Sequence, residues 1–213
     1  MAEPEQKRLL VEGKDDLHSV VHLLKPHIGW DKGREPVKIT NCEGESLLGD
    51  EIIPLWLKAP DTEILGILLD AEGNCEGRWQ RVRSLCSPYV ADLPENLPVN
   101  GLTTTTIRGL RLGIWVMPNN QHPGMLETFL KGLVPDKYKQ VLSYAEETSK
   151  RAKADHGAPY GDTHYDKAVM HTWLAWMEPP GRPFGTAFIA GILNAGAATA
   201  EPFLRWFRGL YEI

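Results

Sequence analysis

Two short runs hold the residues of this chain best suited to chemistry. Arg8-Leu-Leu-Val-Glu-Gly-Lys-Asp-Asp-Leu-His18 passes from three apolar residues into an acidic cluster containing Glu12 and Asp16. Ile64-Leu-Gly-Ile-Leu-Leu69 ends in the same manner, on Asp70-Ala71-Glu72. Four carboxylates brought together repel one another, and some stay protonated unless a cation joins them. A hard cation such as Mg²⁺ or Mn²⁺ suits such a site, because Mg²⁺ prefers oxygen ligands and keeps several of its waters. Two such ions about 4 Å apart polarise a phosphodiester, activate a water and stabilise the leaving oxygen. One of the glutamates would also assist proton transfer.

The elements around these runs have to bring them together. Arg8 to Val11 reads as a strand, and Leu17, Val20, Val21 and Leu24 mark one apolar face of a helix that Lys25-Pro26 should end. Val37 to Thr40 is a second strand. A helix is expected to open at Glu43-Gly44-Glu45-Ser46 and run through Leu47, Leu48, Ile52, Ile53 and Leu55. The apolar run Ile64 to Leu69 fits a strand covered on both faces. A helix through Trp79, Val82 and Leu85 follows it. Alternating strands and helices predict an α/β fold with a parallel sheet and right-handed crossovers. In such a sheet the strand C-termini share one edge, where ligand sites gather. Glu12 and Asp70 would meet there, with Glu72 two residues past Asp70 and Asp16 one helical turn past Glu12.

Further along, Leu102 to Ile107 and Leu110 to Val116 read as a hairpin around Arg108-Gly109. Residues 118–124 read as a loop, and a helix starts at Met125-Leu126-Glu127. An exposed helix follows Pro135, a tryptophan-rich helix covers His164 to Met177, and an amphipathic helix at 200–213 docks through Phe203, Trp206, Phe207 and Leu210. The expected organisation is an α/β core over residues 1–135 and a helical C-terminal extension over 136–213.

Composition narrows the classes. The chain has 213 residues, an apolar fraction of 42% and a formal net charge of −5. Nucleic acid would therefore be held by a local basic face or a bridging metal, not by overall charge. Cys42, Cys75 and Cys86 form no CxxC pair and are expected as reduced thiols of a cytoplasmic protein. The N-terminal MAEPEQKR carries no signal-peptide core, and the apolar stretch from Phe184 to Ala200 is too short and too broken to span a bilayer. There is no GxxxxGK[ST] phosphate loop, so no ATPase is expected within the chain.

Several residues admit two readings. Arg78, Arg81 and Arg83 follow the D-x-E run and are candidates for a phosphate-binding patch; a solvated helix face explains them equally. His18 and His22 stand at i, i+4 but lack the partners of an HExxH site, so surface histidines are the simpler reading. His171 reads equally as core or functional. Trp173 and Trp176 read as packing before a base-stacking platform.

The pairing of Val11-Glu12-Gly13-Lys14-Asp15-Asp16 with Leu69-Asp70-Ala71-Glu72 resembles the Toprim domain. Bacterial primases, type IA and II topoisomerases, recombination proteins and the OLD (overcoming lysogenisation defect) nucleases share that domain. The chain looks most like small stand-alone Toprim-like proteins of unknown function, through 113–118, 124–127 and 171–176 as well. The resemblance implies a Rossmann-like, mostly parallel sheet and a metal-dependent phosphoryl-transfer site. It implies that Glu12 and Asp16 hold one Mg²⁺ or Mn²⁺ with Asp70 and Glu72 close by, that Glu127 supports a second ion, and that Lys167 stabilises transition-state charge. Glu72 stands where the common motif has Asp, and no domain carries a topoisomerase tyrosine, so water is the expected nucleophile. The expectation is a nuclease on DNA or RNA. Its alternative is a non-catalytic Toprim-like module acting with a partner ATPase or as a homo-oligomer.

Overall fold

The computed structural model describes residues 6–31, 33–42 and 47–213. Among them, five strands form one sheet in the order β2-β1-β3-β5-β4. These are β1 (Lys7–Val11), β2 (Lys38–Asn41), β3 (Ile64–Asp70), β4 (Leu102–Thr105) and β5 (Arg111–Met117). The first three and β5 run parallel; β4 pairs antiparallel with β5. The crossovers carry α1 (Lys14–Ile28), α2 (Ile52–Lys58), α3 (Cys75–Cys86) and, after β5, α4 (Leu126–Lys131). Then come α5 (Asp136–His156), α6 (Tyr165–Ala175), α7 (Phe184–Ile189) and α8 (Glu201–Tyr211). The architecture is the expected one: α/β, Rossmann-like, with a mostly parallel sheet and further helices toward the C-terminus.

β3 is central and buried along Ile64 to Leu69, which is why its sequence does not alternate. Its side chains serve two cores. Leu68 joins Leu9, Val11, Trp115 and helices α1 and α4–α8 on one face; Leu65, Ile67 and Leu69 join Leu10, α2 and α3 on the other. α8 lies against the sheet where β3 and β5 carry glycine. A Cβ on Gly113 would stand 2.3 Å from Leu210 Cδ2, and one on Gly66 would stand 2.3 Å from the Tyr211 hydroxyl. The expected anchors Phe203, Trp206, Phe207 and Leu210 are all buried.

Some boundaries differ from the sequence reading. α1 continues through Pro26 to Ile28 and ends at Gly29, whose φ of 65° supplies the left-handed cap. A proline in the last turn sacrifices one backbone hydrogen bond near a terminus that frays anyway, so it does not stop the helix. The helix expected from 43–46 lies partly outside the described residues; Leu47 and Leu48 are in a turn, and α2 begins only at Ile52. Leu55 is exposed rather than core-facing. β4 stops at Thr105, because Thr106 turns the chain: its N–H donates to Leu110 O (2.8 Å) and its hydroxyl accepts from the Leu110 N–H (3.0 Å). Ile107 is thereby left on the exposed tip.

Candidate functional site

β1, β3 and β5 are adjacent and parallel, so their C-terminal ends open on one edge of the sheet. Backbone contacts made by the carboxylates tie those ends together. Glu12 Oε2 accepts the Asp70 N–H at 2.8 Å, joining the β1 and β3 ends. Asp70 Oδ1 accepts the Leu126 N–H at 2.8 Å, joining β3 to the start of α4. Asp16 reaches back one turn, and its Oδ2 accepts the Gly13 N–H at 2.9 Å at the start of α1.

The loop after β5 is fastened at two points. Asn120 is buried with a left-handed φ of 65°. Its Oδ1 accepts the Val116 N–H (2.8 Å) and its Nδ2 donates to Val99 O (3.0 Å). Glu72 and Gly124 exchange both backbone hydrogen bonds at 2.7 Å, which pins the loop after β3 to the loop after β5. Glu72 also adopts a left-handed φ, 50°, the conformation that turns the chain sharply from β3 toward α3. Sequence reasoning missed Asn120. Its signal was Pro118-Asn119-Asn120 in a loop, since asparagine is the non-glycine residue most tolerant of left-handed backbone.

The cluster is short of compensating positive charge. Asp70 is pushed up to about 9, first by burial and then by Asp16, Glu12 and Glu127 beside it. Asp16 is pushed up to about 7 by burial, with Glu12 adding to it. Glu12 is raised by burial, against the opposing pull of the Asp70 N–H and of Arg78. Glu127 is only 3% exposed; its nearest cation is the ammonium of Lys167, 3.5 Å away and half exposed.

Glu12, Asp16, Asp70 and Glu127 therefore influence one another at this edge. Glu72 sits at its exposed rim, ion-paired with Arg78. Arg78 faces the carboxylates; its helix neighbours do not. Arg81 is engaged elsewhere, its guanidinium on Asp50 (2.8 Å) and Leu48 O (2.9 Å), and Arg83 donates to Pro94 O. One turn further along α3, Arg81 lies against the turn that precedes α2 and is held there by Asp50 and Leu48. Lys131 was not foreseen: it bridges Glu146 (2.6 Å) and Asp166 (2.9 Å), tying α4 to α5 and α6 beside Lys167. His171 is exposed with its ring against Phe184. Trp173 is core, whereas Trp176 is 43% exposed and stacks on Tyr144.

The donors are carboxylate oxygens, the chemistry that suits Mg²⁺ or Mn²⁺. Glu12 and Asp70 each spend one oxygen on a backbone N–H, and the second takes no protein hydrogen bond among the described residues. Among those residues no three carboxylate, imidazole or thiol groups are drawn into a finished ligand set. A hydrated Mg²⁺ needs only one or two direct protein ligands, so the residues present fit it.

The family model described as a protein of unknown function (DUF3226) matches residues 6–212. No curated protein and no solved structure matches the chain.

Proposed function

The chain belongs to the DUF3226 family, and we propose that it is a Mg²⁺- or Mn²⁺-dependent phosphodiesterase acting on nucleic acid, as its Toprim-like strand ends suggest. The observation that carries this reading is the convergence of Glu12, Asp16, Asp70 and Glu127 on one sheet edge with too little positive charge to balance them. Alone, the cluster is tolerable only by keeping protons. A bound divalent cation would take their place, polarise the phosphodiester and lower the pKa of a coordinated water.

In this reading the unengaged oxygens of Glu12 and Asp70 would hold the metal, with Asp16 and Glu127 close by. Glu72 lies at the rim, where Arg78 would contact the substrate phosphate. Lys167 beside Glu127 would offset charge that develops on the phosphoryl oxygens. We take the protein as cytoplasmic, a reading supported by three buried free thiols. No described helix is long and apolar enough to cross a membrane.

The test is cleavage of supercoiled plasmid and of single-stranded RNA with Mg²⁺, with Mn²⁺ and with chelator, comparing wild type and Asp70→Asn. Metal-dependent cleavage that disappears in the variant supports the enzyme. A folded wild type that binds Mn²⁺ and cleaves neither substrate favours the other reading, a Toprim-like binding or regulatory module working with an ATPase or a second copy. The net charge of −5 is what favours that alternative.

A further inference from the structure

The connection from α5 to α6 closes with a single 3₁₀ turn, Asp162–His164, and the titratable groups around that turn are spoken for. Tyr160 donates its hydroxyl to Ser149 O (2.6 Å), and Asp162 pairs with Lys153, so the connection is folded back onto α5. Past the turn, the Tyr165 hydroxyl donates to Glu146 O (3.0 Å), Asp166 pairs with Lys131 (2.9 Å), and Lys167 reaches Glu127 (3.5 Å). His164 is the titratable side chain left over. It is exposed, and its ring has no hydrogen bond or ion pair among the described residues.

Two contacts fix where His164 stands. On one side its neighbour Thr163 lies against the loop after β3: a Cβ placed on Gly73, the residue that follows Glu72, would be 3.6 Å from the Thr163 methyl. On the other side is Lys167, three residues further on and therefore on the same face of the turn, with its ammonium at the buried Glu127 carboxylate. His164 is thus bracketed between the Glu72 loop and Glu127, on the solvent side of the carboxylate edge. His122, in the loop after β5, is already engaged, its Nδ1 lying 3.2 Å from Asn119 Oδ1.

The chemistry assigned to this edge lacks a proton donor. A phosphodiester releases a sugar oxygen that must be protonated as it leaves. Guanidinium and ammonium groups keep their protons at neutral pH, and carboxylates that ligate a metal have none to give. Imidazole both gives and takes a proton in that range.

We propose that His164 is the general acid of the phosphodiesterase and protonates the leaving oxygen of its substrate; the assignment rests on the functional reading above. A water oxygen bonds to phosphorus and releases a proton to solvent. The bond from phosphorus to the departing sugar oxygen breaks with its electron pair, and that oxygen takes the proton of the His164 imidazolium. Solvent then returns a proton to the ring.

The test uses short DNA and RNA strands, single and annealed, with Mn²⁺ present. Each carries ordinary linkages, or one linkage with sulfur in place of its 3′- or its 5′-bridging oxygen. A thiolate leaves without a proton, so the sulfur linkage does not need the acid. Wild type is compared with His164→Ala and His164→Gln, with far-UV circular dichroism as the check on folding. The expected result is that both variants cleave ordinary linkages about a hundred-fold or more slowly, and that scission shifts to the linkage whose leaving atom is sulfur, cut within about three-fold of wild type. Added imidazole should restore part of the ordinary cleavage in His164→Ala. Cleavage of ordinary linkages by the folded variants within about two-fold of wild type overturns the assignment, and so does an equal loss on ordinary and sulfur linkages; both leave the nuclease reading standing. A wild type that cleaves no strand overturns the nuclease reading and the assignment with it.

Discussion

At Gly66 the middle of β3 accepts the C-terminal helix; four residues later, at Asp70, the same strand delivers a carboxylate. The two regions handle burial differently. Around Gly66 and Gly113 the contacts are dry and aromatic: Trp115 meets Phe203 edge-on at 5.5 Å, and Phe207 lies 4.6 Å from Tyr211. Most polar atoms there find partners. The Trp206 indole donates to Leu102 O (3.0 Å), the Tyr211 hydroxyl to Arg8 O (2.8 Å), and Lys7 to Tyr211 O (2.9 Å). The Trp115 indole N–H has no partner among the described residues, a neutral orphan that costs about 1–3 kcal/mol. At Asp70 the buried groups are carboxylates with backbone N–H partners but little positive charge beside them, and burying uncompensated charge is far more costly. A fold tolerates that arrangement where a ligand or reaction uses it.

Breaking the dry region should give the largest effect. Phe207→Ala removes a fully buried ring and is expected to cost about 3–5 kcal/mol, read as a lower denaturant midpoint. Any cleavage per folded molecule should be unchanged. Asp70→Asn should do the reverse. The amide oxygen can still accept the Leu126 N–H, so melting temperature should hold or rise, while metal-dependent cleavage falls at least a hundred-fold, about 2.7 kcal/mol of barrier. A variant that keeps its activity would remove Asp70 from the chemistry.

Gly113→Ala lies next in size. Its Cβ meets the end of a flexible leucine, so the expected loss is about 1–3 kcal/mol of stability. The pH dependence is more diagnostic. Asp70 moves from its usual 3.8 to about 9 on folding, so between those values the folded protein keeps a proton that the unfolded chain has lost. Its contribution is fully present below about 3.8 and is lost as pH rises toward 9. In chelator, stability should therefore fall steadily between pH 5 and pH 8.5, at up to about 1.4 kcal/mol per pH unit, and Asp70→Asn should flatten that slope. The smallest effect separates two arginines. Arg78→Ala should lower cleavage, whereas Arg81→Ala, engaged with Asp50 and Leu48, should leave it within two-fold.

Much of the frame was legible because it depends on local pattern. An uninterrupted apolar run such as Ile64 to Leu69 can hardly be anything but a covered strand. The apolar spacing of 203, 206, 207 and 210 marks one helix face wherever that helix docks. What failed lay at element ends, where a single turn or last-turn residue decides, and in one contact between distant residues. Pro26 stands within α1, and Thr106 ended β4 through its bond to Leu110. Arg81 was drawn away by Asp50, an acid 31 positions earlier that no local pattern connects to it.

By itself, the sequence determined the alternation of strands and helices and the placing of acids at the strand ends, because periodicity and chain order are written residue by residue. Only the tertiary structure decided that Glu12 would bind the Asp70 backbone and Asp70 that of Leu126. It also decided that Glu127 would be buried beside them while Arg81 was not. Those outcomes turn on which strands are neighbours and on how much water remains between their ends, and both are properties of the packed sheet.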